Sequence, residues 1–269
     1  MRAITSRPYT PPPRWRCLIV TQAENPLWKT LTGSDIDAPW LADRRSIAAT
    51  CISEVLGTFA LVFFSAGAVA VDAASDGAVT PVGMGLAAGL VVVAVIFGLG
   101  HVSGAHINPV VTLAFRLSGR IGSLRALVYV IAQLAGSVLA GLAIVAIVGD
   151  AGDAGATAPR IGGVEAALLA EIVLAFFLVL VLLGVATDER AQGSFAAIAV
   201  GSYVGLAILA WGPIGNASMN PARSLGPAIF GAEWSAHWIY WVGPIVGSAL
   251  AVFIYAFLRA RRSPDADSS

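Results

Sequence analysis

The dipeptide Asn-Pro occurs twice within mostly apolar sequence, at Asn108-Pro109 in "SGAHINPVVTLAF" and at Asn220-Pro221 in "GNASMNPARSLGPAIF". Asparagine is a favoured helix N-cap, and proline is favoured in the first turn of a helix. In each copy the pair is followed by about eleven helix-compatible residues, which would reach about 16 Å, or half of the roughly 30 Å hydrocarbon layer of a membrane. Two such half-helices, one in each half of the chain, predict a re-entrant pore.

The composition is that of a membrane protein. Hydrophobic residues make up 57% of the chain and charged residues only 12%, with a mean hydropathy of +0.81. A soluble domain of this length needs more polar surface than these numbers allow. Apolar runs long enough to cross a bilayer predict six spanning helices. They lie near residues 47–71, 82–100, 124–148, 164–186, 195–211 and 238–260.

The two halves of the chain resemble each other beyond the Asn-Pro pair. The segment "SEVLGTFALVFFSAG" resembles "AEIVLAFFLVLVLLG", which places Glu54 opposite Glu171, and a run beginning at Tyr129 matches one beginning at Tyr240. Each half then has three spans and one half-helix, and because three is odd, the halves enter the membrane with opposite orientations. The predicted fold is an all-α membrane protein with six transmembrane helices and two re-entrant half-helices from an inverted three-helix repeat.

The same reasoning divides the chain into domains and orients it. We predict a disordered cytoplasmic tail over 1–46, a channel domain over 47–260 with repeats near 47–148 and 164–260, and a short cytoplasmic tail over 261–269. Basic residues cluster in alternate loops, and the loops on the other side of the membrane have Arg160 as their one basic residue. The positive-inside rule then predicts that both termini are cytoplasmic, in a plasma or inner membrane. The basic residues on the predicted cytoplasmic side are Arg2, Arg7, Arg14, Arg16, Lys29, Arg44, Arg45, Arg116, Arg120, Arg125, Arg190, Arg259, Arg261 and Arg262.

Opposed half-helices would place two electropositive helix ends at the membrane midplane. Such a focus repels cations, protons included, from a water-filled passage. With the oxygens of Asn108 and Asn220 used in capping, their amide groups would be donors to a permeant oxygen. Irregular backbone at this depth must line water or be buried in protein. The carbonyls expected along the pore wall belong to Gly104, Ala105, His106, Ile107, Asn216, Ala217, Ser218 and Met219.

Arg223 follows Asn220 by about one helical turn. It is the one basic residue predicted within the membrane zone, and an ionised group at that depth is a functional candidate. We expect its guanidinium to donate hydrogen bonds to solutes at the narrowest point while its charge deters cations. A simpler interpretation is an arginine that extends from a helix end towards the interface.

These motifs, with "NPARS" after the second, resemble those of aquaporins in the major intrinsic protein family, over about residues 47–260. The resemblance implies a homotetramer with one pore per subunit and passive flux without cofactor, metal or catalysis. Its partners would be the lipid bilayer, water and small neutral solutes, with no nucleic acid. The resemblance also implies that Glu54 and Glu171 accept hydrogen bonds from the loop backbones. The family's usual motif is Asn-Pro-Ala, which the second copy keeps with Ala222, but the first copy has Val110 in place of the alanine. This bulkier residue is expected to affect the transport rate more than the mechanism.

The family's selectivity filter corresponds by spacing to Ala88, Ile208, Ala217 and Arg223. Water-selective members have phenylalanine and histidine at the first two positions, so this opening is expected to be wide and apolar on three sides. The set resembles nodulin-26-like intrinsic proteins and aquaglyceroporins, which implies passage of glycerol, urea, or boric or arsenous acid besides water. Ser224, Ala228 and the pair Tyr240-Trp241 instead resemble water-selective members.

Two other functions remain alternatives at this stage. A strictly water-selective aquaporin is the first, and a proton-coupled transporter that uses Glu54 and Glu171 is the second. A membrane enzyme would need a nucleophile with a base, or paired carboxylates, and the sequence shows no such group of residues. His101 and His106 have no evident third ligand for a metal.

Overall fold

The computed structural model describes residues 47–187 and 195–259. The predicted tails over 1–46 and 261–269 lie outside the described residues. The described chain is helical, with eight α-helices and one short 3-10 turn at Ala151–Gly155. The helices are α1 (Ile47–Ala74), α2 (Thr80–Ser103), α3 (Pro109–Leu117), α4 (Ser123–Val148), α5 (Gly163–Thr187), α6 (Ala196–Gly215), α7 (Pro221–Phe230) and α8 (Ile239–Arg259).

Six of these helices have the length and hydropathy needed to cross a membrane, namely α1, α2, α4, α5, α6 and α8. Large apolar side chains remain exposed along them, as expected for surfaces that face lipid. The predicted fold class is therefore confirmed, and the chain is a multi-pass membrane protein. The spans begin and end within a few residues of the predicted bounds.

The two short helices are slightly shorter than expected. Helix α3 has nine residues and α7 has ten, against the expected eleven or so. At 1.5 Å per residue they reach about 14 and 15 Å. Helix α3 ends just before Gly119, whose φ of +75° turns the chain out of the helix, and Arg120 N then donates to the carbonyl of Phe115 while Gly119 N donates to that of Arg116, as in a Schellman motif.

The repeats are interlocked rather than placed side by side. Helix α1 packs on α4, α5 packs on α8, and α2 crosses α6 between the repeats. The half-helices cross over as well, because α7 packs against α4 and α3 packs against α8. Gly136 on α4 lies directly against the carbonyl of Val55, and at the equivalent position Gly247 on α8 lies against the carbonyl of Ile172. Small residues at helix crossings are typical of membrane proteins, since they let backbones approach closely.

Candidate functional site

The two half-helices begin at the asparagines that the sequence singles out. The Oδ1 of Asn108 accepts a hydrogen bond from Val110 N at 2.8 Å, and the Oδ1 of Asn220 accepts from Ala222 N at 2.9 Å and Arg223 N at 3.3 Å. Both asparagines have the extended backbone of an N-cap, and proline occupies the first helical position in each copy.

The asparagine amide groups join the two loops to each other. The Nδ2 of Asn108 donates to the carbonyl of Met219 at 2.9 Å, and the Nδ2 of Asn220 donates to the carbonyl of Ile107 at 3.0 Å. Each amide therefore uses one of its two hydrogens on the opposite loop and keeps one for another acceptor. The carbonyls of Ile107 and Met219, which the sequence placed along the pore wall, are engaged by the asparagines.

The backbone before each half-helix has the same unusual conformation in both copies. Gly104, Ala105 and Ile107 have φ values of +92°, +47° and +46°, and their equivalents Asn216, Ala217 and Met219 have +67°, +48° and +52°. Left-handed backbone costs free energy for residues other than glycine, so the surrounding structure must hold it in place.

A buried carboxylate holds each loop from behind. Glu54 accepts hydrogen bonds from His106 N at 3.0 Å and Ile107 N at 2.7 Å. Glu171 accepts from Ser218 N at 2.5 Å and Met219 N at 2.7 Å. Both carboxylates are almost fully buried. Bonds from N–H groups to a carboxylate are stronger than neutral ones, which explains how the strained loops are stabilised.

The first loop has an additional network of side chains. Gln133 donates from Nε2 to Glu54 at 2.8 Å and to Thr112 Oγ1 at 2.9 Å. The Thr112 hydroxyl also lies 3.1 Å from Nδ1 of His106, and the Ser103 hydroxyl donates to Glu54 at 2.7 Å. The sequence left Gln133 without a partner, because its partners are 21 and 79 residues away along the chain.

The second loop is supported by hydroxyl groups instead. The Ser218 and Ser224 hydroxyls lie 2.7 Å apart, and Thr157 donates to Ser224 at 2.9 Å. Ser218 also donates to the carbonyl of Asn220 at 2.8 Å. Thr157 belongs to the segment that connects the repeats, so the link between the two halves of the chain takes part in the second loop.

Arg223 is buried on α7 and held in place by backbone carbonyls. Its Nη1 donates to the carbonyl of Gly155 at 2.7 Å, and Nη2 lies 3.5 Å from the carbonyl of Ser65. Its Nε has no hydrogen-bond partner among residues 47–187 and 195–259. Gly155 can approach this closely because it has a φ of +74° and lies against the carbonyl of Ala66, where a side chain would collide.

A cavity of about 120 Å³ connects these elements. Both repeats contribute to its wall, which includes both asparagines and Arg223. Along α6 it extends from Ala196 to Ile208, a distance of about 18 Å at 1.5 Å per residue. It therefore runs from the face where α6 begins to the level of Arg223. The polar residues among the described ones that line it are Ser65, His106, Asn108, Ser218, Asn220 and Arg223.

Three of the four predicted filter residues meet at the inner end of this cavity. Ala88, Ile208 and Arg223 line it, as do Gly104, Ala105, His106 and Ile107 of the first loop and Ser218 and Met219 of the second. Ala217 and Asn216 do not border it. Ala217 is 2% exposed and packs in an apolar cluster with Ile107 and Met219, while Asn216 caps the end of α6.

Val110 faces away from the cavity. Its side chain is fully buried among α5 and α8, in a cluster with Val179, Leu183 and Val252. The Ser248 hydroxyl donates to the Val110 carbonyl at 3.2 Å, and at the equivalent position Ser137 donates to the carbonyl of Ala222. The extra bulk of valine is accommodated by helix packing, so it does not narrow the cavity directly.

Among the polar residues that line the cavity in the described part of the chain, the sequence analysis missed Ser65. Ser65 is on α1, its carbonyl lies 3.5 Å from Nη2 of Arg223, and its hydroxyl has no hydrogen-bond partner among the described residues. Serine in a spanning helix commonly bonds to its own backbone, so the residue type alone gave no signal. Its place in the repeat could have indicated it, because it lies eleven residues after Glu54 on the helix face that carries the loop brace.

The comparisons with known proteins agree with this geometry. The profile of the MIP family, described as Major intrinsic protein, matches residues 42–255. Aquaporin NIP1-1 of Zea mays is 41% identical over 214 residues, which cover 79% of this chain and 76% of that protein. Aquaporin NIP1-4 of Oryza sativa subsp. japonica is 42% identical, covering 77% of this chain and 76% of that protein.

Among solved structures, the aquaglyceroporin from Plasmodium falciparum matches with a TM-score of 0.69 and 27% identity, covering 78% of this chain and 96% of that one. The paired half-helices, their linked asparagines and the sequence matches all lead to one assignment. The chain belongs to the major intrinsic protein family, the family of the aquaporin channels.

Proposed function

We propose that this chain is a passive channel for water and small neutral solutes such as glycerol, urea, or boric or arsenous acid. The observation that carries this proposal is the cavity wall, to which Ala88, Ile208 and Arg223 all contribute. Neither an aromatic ring nor an imidazole narrows the opening at Ala88 or Ile208. A solute wider than water therefore has room to reach the arginine.

The polar groups at this level suit a solute with several hydroxyl groups. Arg223 and Ser65 both line the cavity, and the Nε of Arg223 and the hydroxyl of Ser65 have no hydrogen-bond partner within the part of the chain that the structure describes. A polyhydroxylic solute that loses water on entering the cavity can replace some of its lost hydrogen bonds with these groups, each worth about 1 kcal/mol. Its carbon face can pack on Ala88 and Ile208.

Ions have no comparable replacement for their hydration. The two half-helix N-termini meet at Asn108 and Asn220, so both electropositive ends point to the same depth. Arg223 adds a full positive charge about one helical turn away. The desolvation of a cation and its repulsion by these charges act together, which supports exclusion of protons and other cations.

Transport measurements on proteoliposomes test this proposal. We expect stopped-flow light scattering to show glycerol or urea flux that is linear in the solute gradient and insensitive to an uncoupler, together with water flux. Empty liposomes and liposomes with an unrelated membrane protein are the controls. Water flux without any solute flux would contradict the solute assignment and leave a water-selective channel.

A double substitution tests the residues behind the assignment. We expect Ala88→Phe with Ile208→His to lower glycerol flux at least ten-fold, because the ring fills the open side of the cavity, while water flux falls less. Leu206→Phe is the matched control, since Leu206 is on the same helix as Ile208 but is 60% exposed and does not border the cavity. Unchanged glycerol flux in the double variant would show that the opening lies elsewhere.

The water-selective alternative has one specific observation in its favour. Ser224 is fully buried and bonded to Ser218 and Thr157, so the second loop is built around a serine, as in water-selective members. A proton-coupled transporter has less support. The oxygens of Glu54 and Glu171 already accept bonds from the loops, and protonation would remove acceptors that hold the backbone.

We also propose that the chain forms a homotetramer in a plasma or inner membrane, with both termini cytoplasmic. Family membership supports the assembly, and the distribution of basic residues supports the orientation. Light scattering coupled to size-exclusion chromatography tests the mass of the assembly. An Asp76→Cys variant in intact cells tests the orientation, since we expect an impermeant thiol reagent to label it from outside.

A further inference from the structure

Four arginines gather on the face where α3 ends and α4 begins. Arg116 is in the last turn of α3, Arg120 is in the turn between the two helices, and Arg125 is in the first turns of α4. Arg259 ends α8, and α3 packs against both α4 and α8, which brings this end of α8 close. The charge of Arg259 acts on Arg120, as does the phenol of Tyr255.

The N-terminus of α4 at this place has no internal cap. Gly122 is the N-cap residue and offers no side chain, and no acidic residue lies in the first turn. A helix of 26 residues therefore presents unpaired backbone N–H groups and the positive end of its macrodipole to the same region. Cations are unfavourable at a helix N-terminus, while anions are stabilised there.

Arg120 is the most informative of the four. It is only 7% exposed, yet its Nε has no hydrogen-bond partner among the described residues. Burial and the charge of Arg259 lower the pKa of Arg120 to about 10, which leaves it charged at neutral pH. Within residues 47–187 and 195–259 no carboxylate is paired with this guanidinium, and a buried charge without a counter-ion is costly, so an anion at this place would offset that cost.

Arg116 is held beside the same helix end. Its Nε donates to the hydroxyl of Ser123, the first residue of α4, at 2.8 Å. The guanidinium of Arg116 thus lies beside the uncapped N–H groups, and Arg120 lies in the turn that leads to them, three residues before Ser123. Arginine side chains and helix N-termini both suit phosphate oxygens, because they present several N–H donors together with positive charge.

We propose that Arg116, Arg120 and the uncapped N-terminus of α4 bind a phosphate group, supplied by the headgroup of an anionic phospholipid. The lipid is favoured as the source because the next residues of α4 form an apolar surface. Leu124 is 71% exposed, Leu127 57% and Ile131 58%, so an acyl chain could follow the helix from the headgroup site. A soluble phosphate has the same headgroup chemistry and forms a separate arm of the test.

Native mass spectrometry of the full-length purified chain tests the site. We expect phosphatidylglycerol to be retained in preference to phosphatidylcholine, and the retention to fall about five-fold for each arginine removed in Arg116→Gln and Arg120→Gln. Arg160→Gln is the matched control, because Arg160 is exposed on the opposite face of the protein. Arg116 is only half-buried, so its variant tests the site even if the Arg120 variant fails to fold.

Inorganic phosphate at matched ionic strength separates the two sources. If phosphate raises the melting temperature of the wild type but not of Arg116→Gln, and displaces the lipid, the site binds the phosphate group from either source. If only the lipid binds, the acyl chain contributes to binding. Equal retention of both lipids without any effect of phosphate overturns the proposal, and so does an equal loss in Arg160→Gln.

Discussion

The two pore loops have the same backbone but different support. Their φ angles agree position by position, their asparagines cap equivalent half-helices, and each rests on one buried carboxylate. Glu54, however, accepts from four donors, and Glu171 accepts from the two backbone groups alone among the bonds that the described residues form. The backbone shape is therefore required by the pore, while the side chains behind it can vary.

The side chains at equivalent positions of the two repeats differ, and so do the properties of the two loops. Thr112 and His106 of the first loop correspond to Ser224 and Ser218 of the second, and each pair is hydrogen-bonded. Val111 of the first loop corresponds to Arg223 of the second. The first loop is thus a neutral, strongly braced wall. The second carries the charge at the inner end of the cavity and is tied to the connecting segment through Gly155 and Thr157.

The largest expected effect is a loss of stability when either carboxylate is replaced by an amide. Each carboxylate oxygen of Glu54 accepts two hydrogen bonds, so the NH₂ group of Glu54→Gln would face two donors in either orientation of the amide. Each oxygen of Glu171 accepts one, so the NH₂ group of Glu171→Gln would face one donor. Each unsatisfied buried donor costs about 1–3 kcal/mol, so we expect Glu54→Gln to lower the free energy of unfolding about twice as much. Thermal unfolding in detergent measures both. A larger loss for Glu171→Gln would contradict this difference in support.

Arg223→Val makes the second loop resemble the first. A unit charge at roughly 8 Å and an effective dielectric constant of about 20 contributes about 2 kcal/mol to the barrier for a cation, or about thirty-fold in rate. We therefore expect proton leakage to rise about thirty-fold in liposomes loaded with a pH-sensitive dye. Val111→Ala, at the equivalent position, is the control. Unchanged proton leakage in Arg223→Val would mean that Asn108 and Asn220 form the barrier to protons without Arg223.

Ser65→Ala tests a polar group that lines the cavity with Arg223 and has no counterpart in the loops. We expect glycerol flux to fall about five-fold, since one hydrogen bond of about 1 kcal/mol is lost, while water flux changes less. Thr58→Ala is the matched control, because Thr58 is a second buried hydroxyl without a partner on α1 and does not line the cavity. An equal change in both variants would argue against a role for Ser65 in solute contact.

The smallest effect on transport is expected for Val110→Ala, which makes the first motif match the second. Val110 is buried against α5 and α8, so the change should cost about 1–2 kcal/mol of stability through the cavity it leaves. Solute and water flux should stay within about two-fold of the wild type. The reverse change, Ala222→Val, is the companion variant and should overpack α7. A large change in flux for Val110→Ala would mean that the motif residue shapes the pore directly.

Much of the fold was predictable because its causes are local. Six apolar runs match the bilayer thickness, and Asn-Pro starts a helix through capping and proline geometry that depend on adjacent residues. Counting residues from the two asparagines identified Ala88, Ile208 and Arg223, and these three residues line one cavity in the structure. The half-helix lengths were less predictable, since α3 ends where Gly119 takes a left-handed conformation, and a glycine inside an apolar run does not by itself mark a helix end.

The sequence by itself determined the membrane setting, the inverted repeat and the two capped half-helices, because hydropathy and capping act over a few residues. Only the tertiary structure decided which amide met which carbonyl, that Gln133 joined Glu54 to Thr112, and that the bulk of Val110 was directed away from the cavity. It also placed the Ser65 carbonyl 3.5 Å from Nη2 of Arg223. The physical reason is distance along the chain. These contacts join residues that are 21 to 158 positions apart, and packing alone selects among the partners that such distances allow.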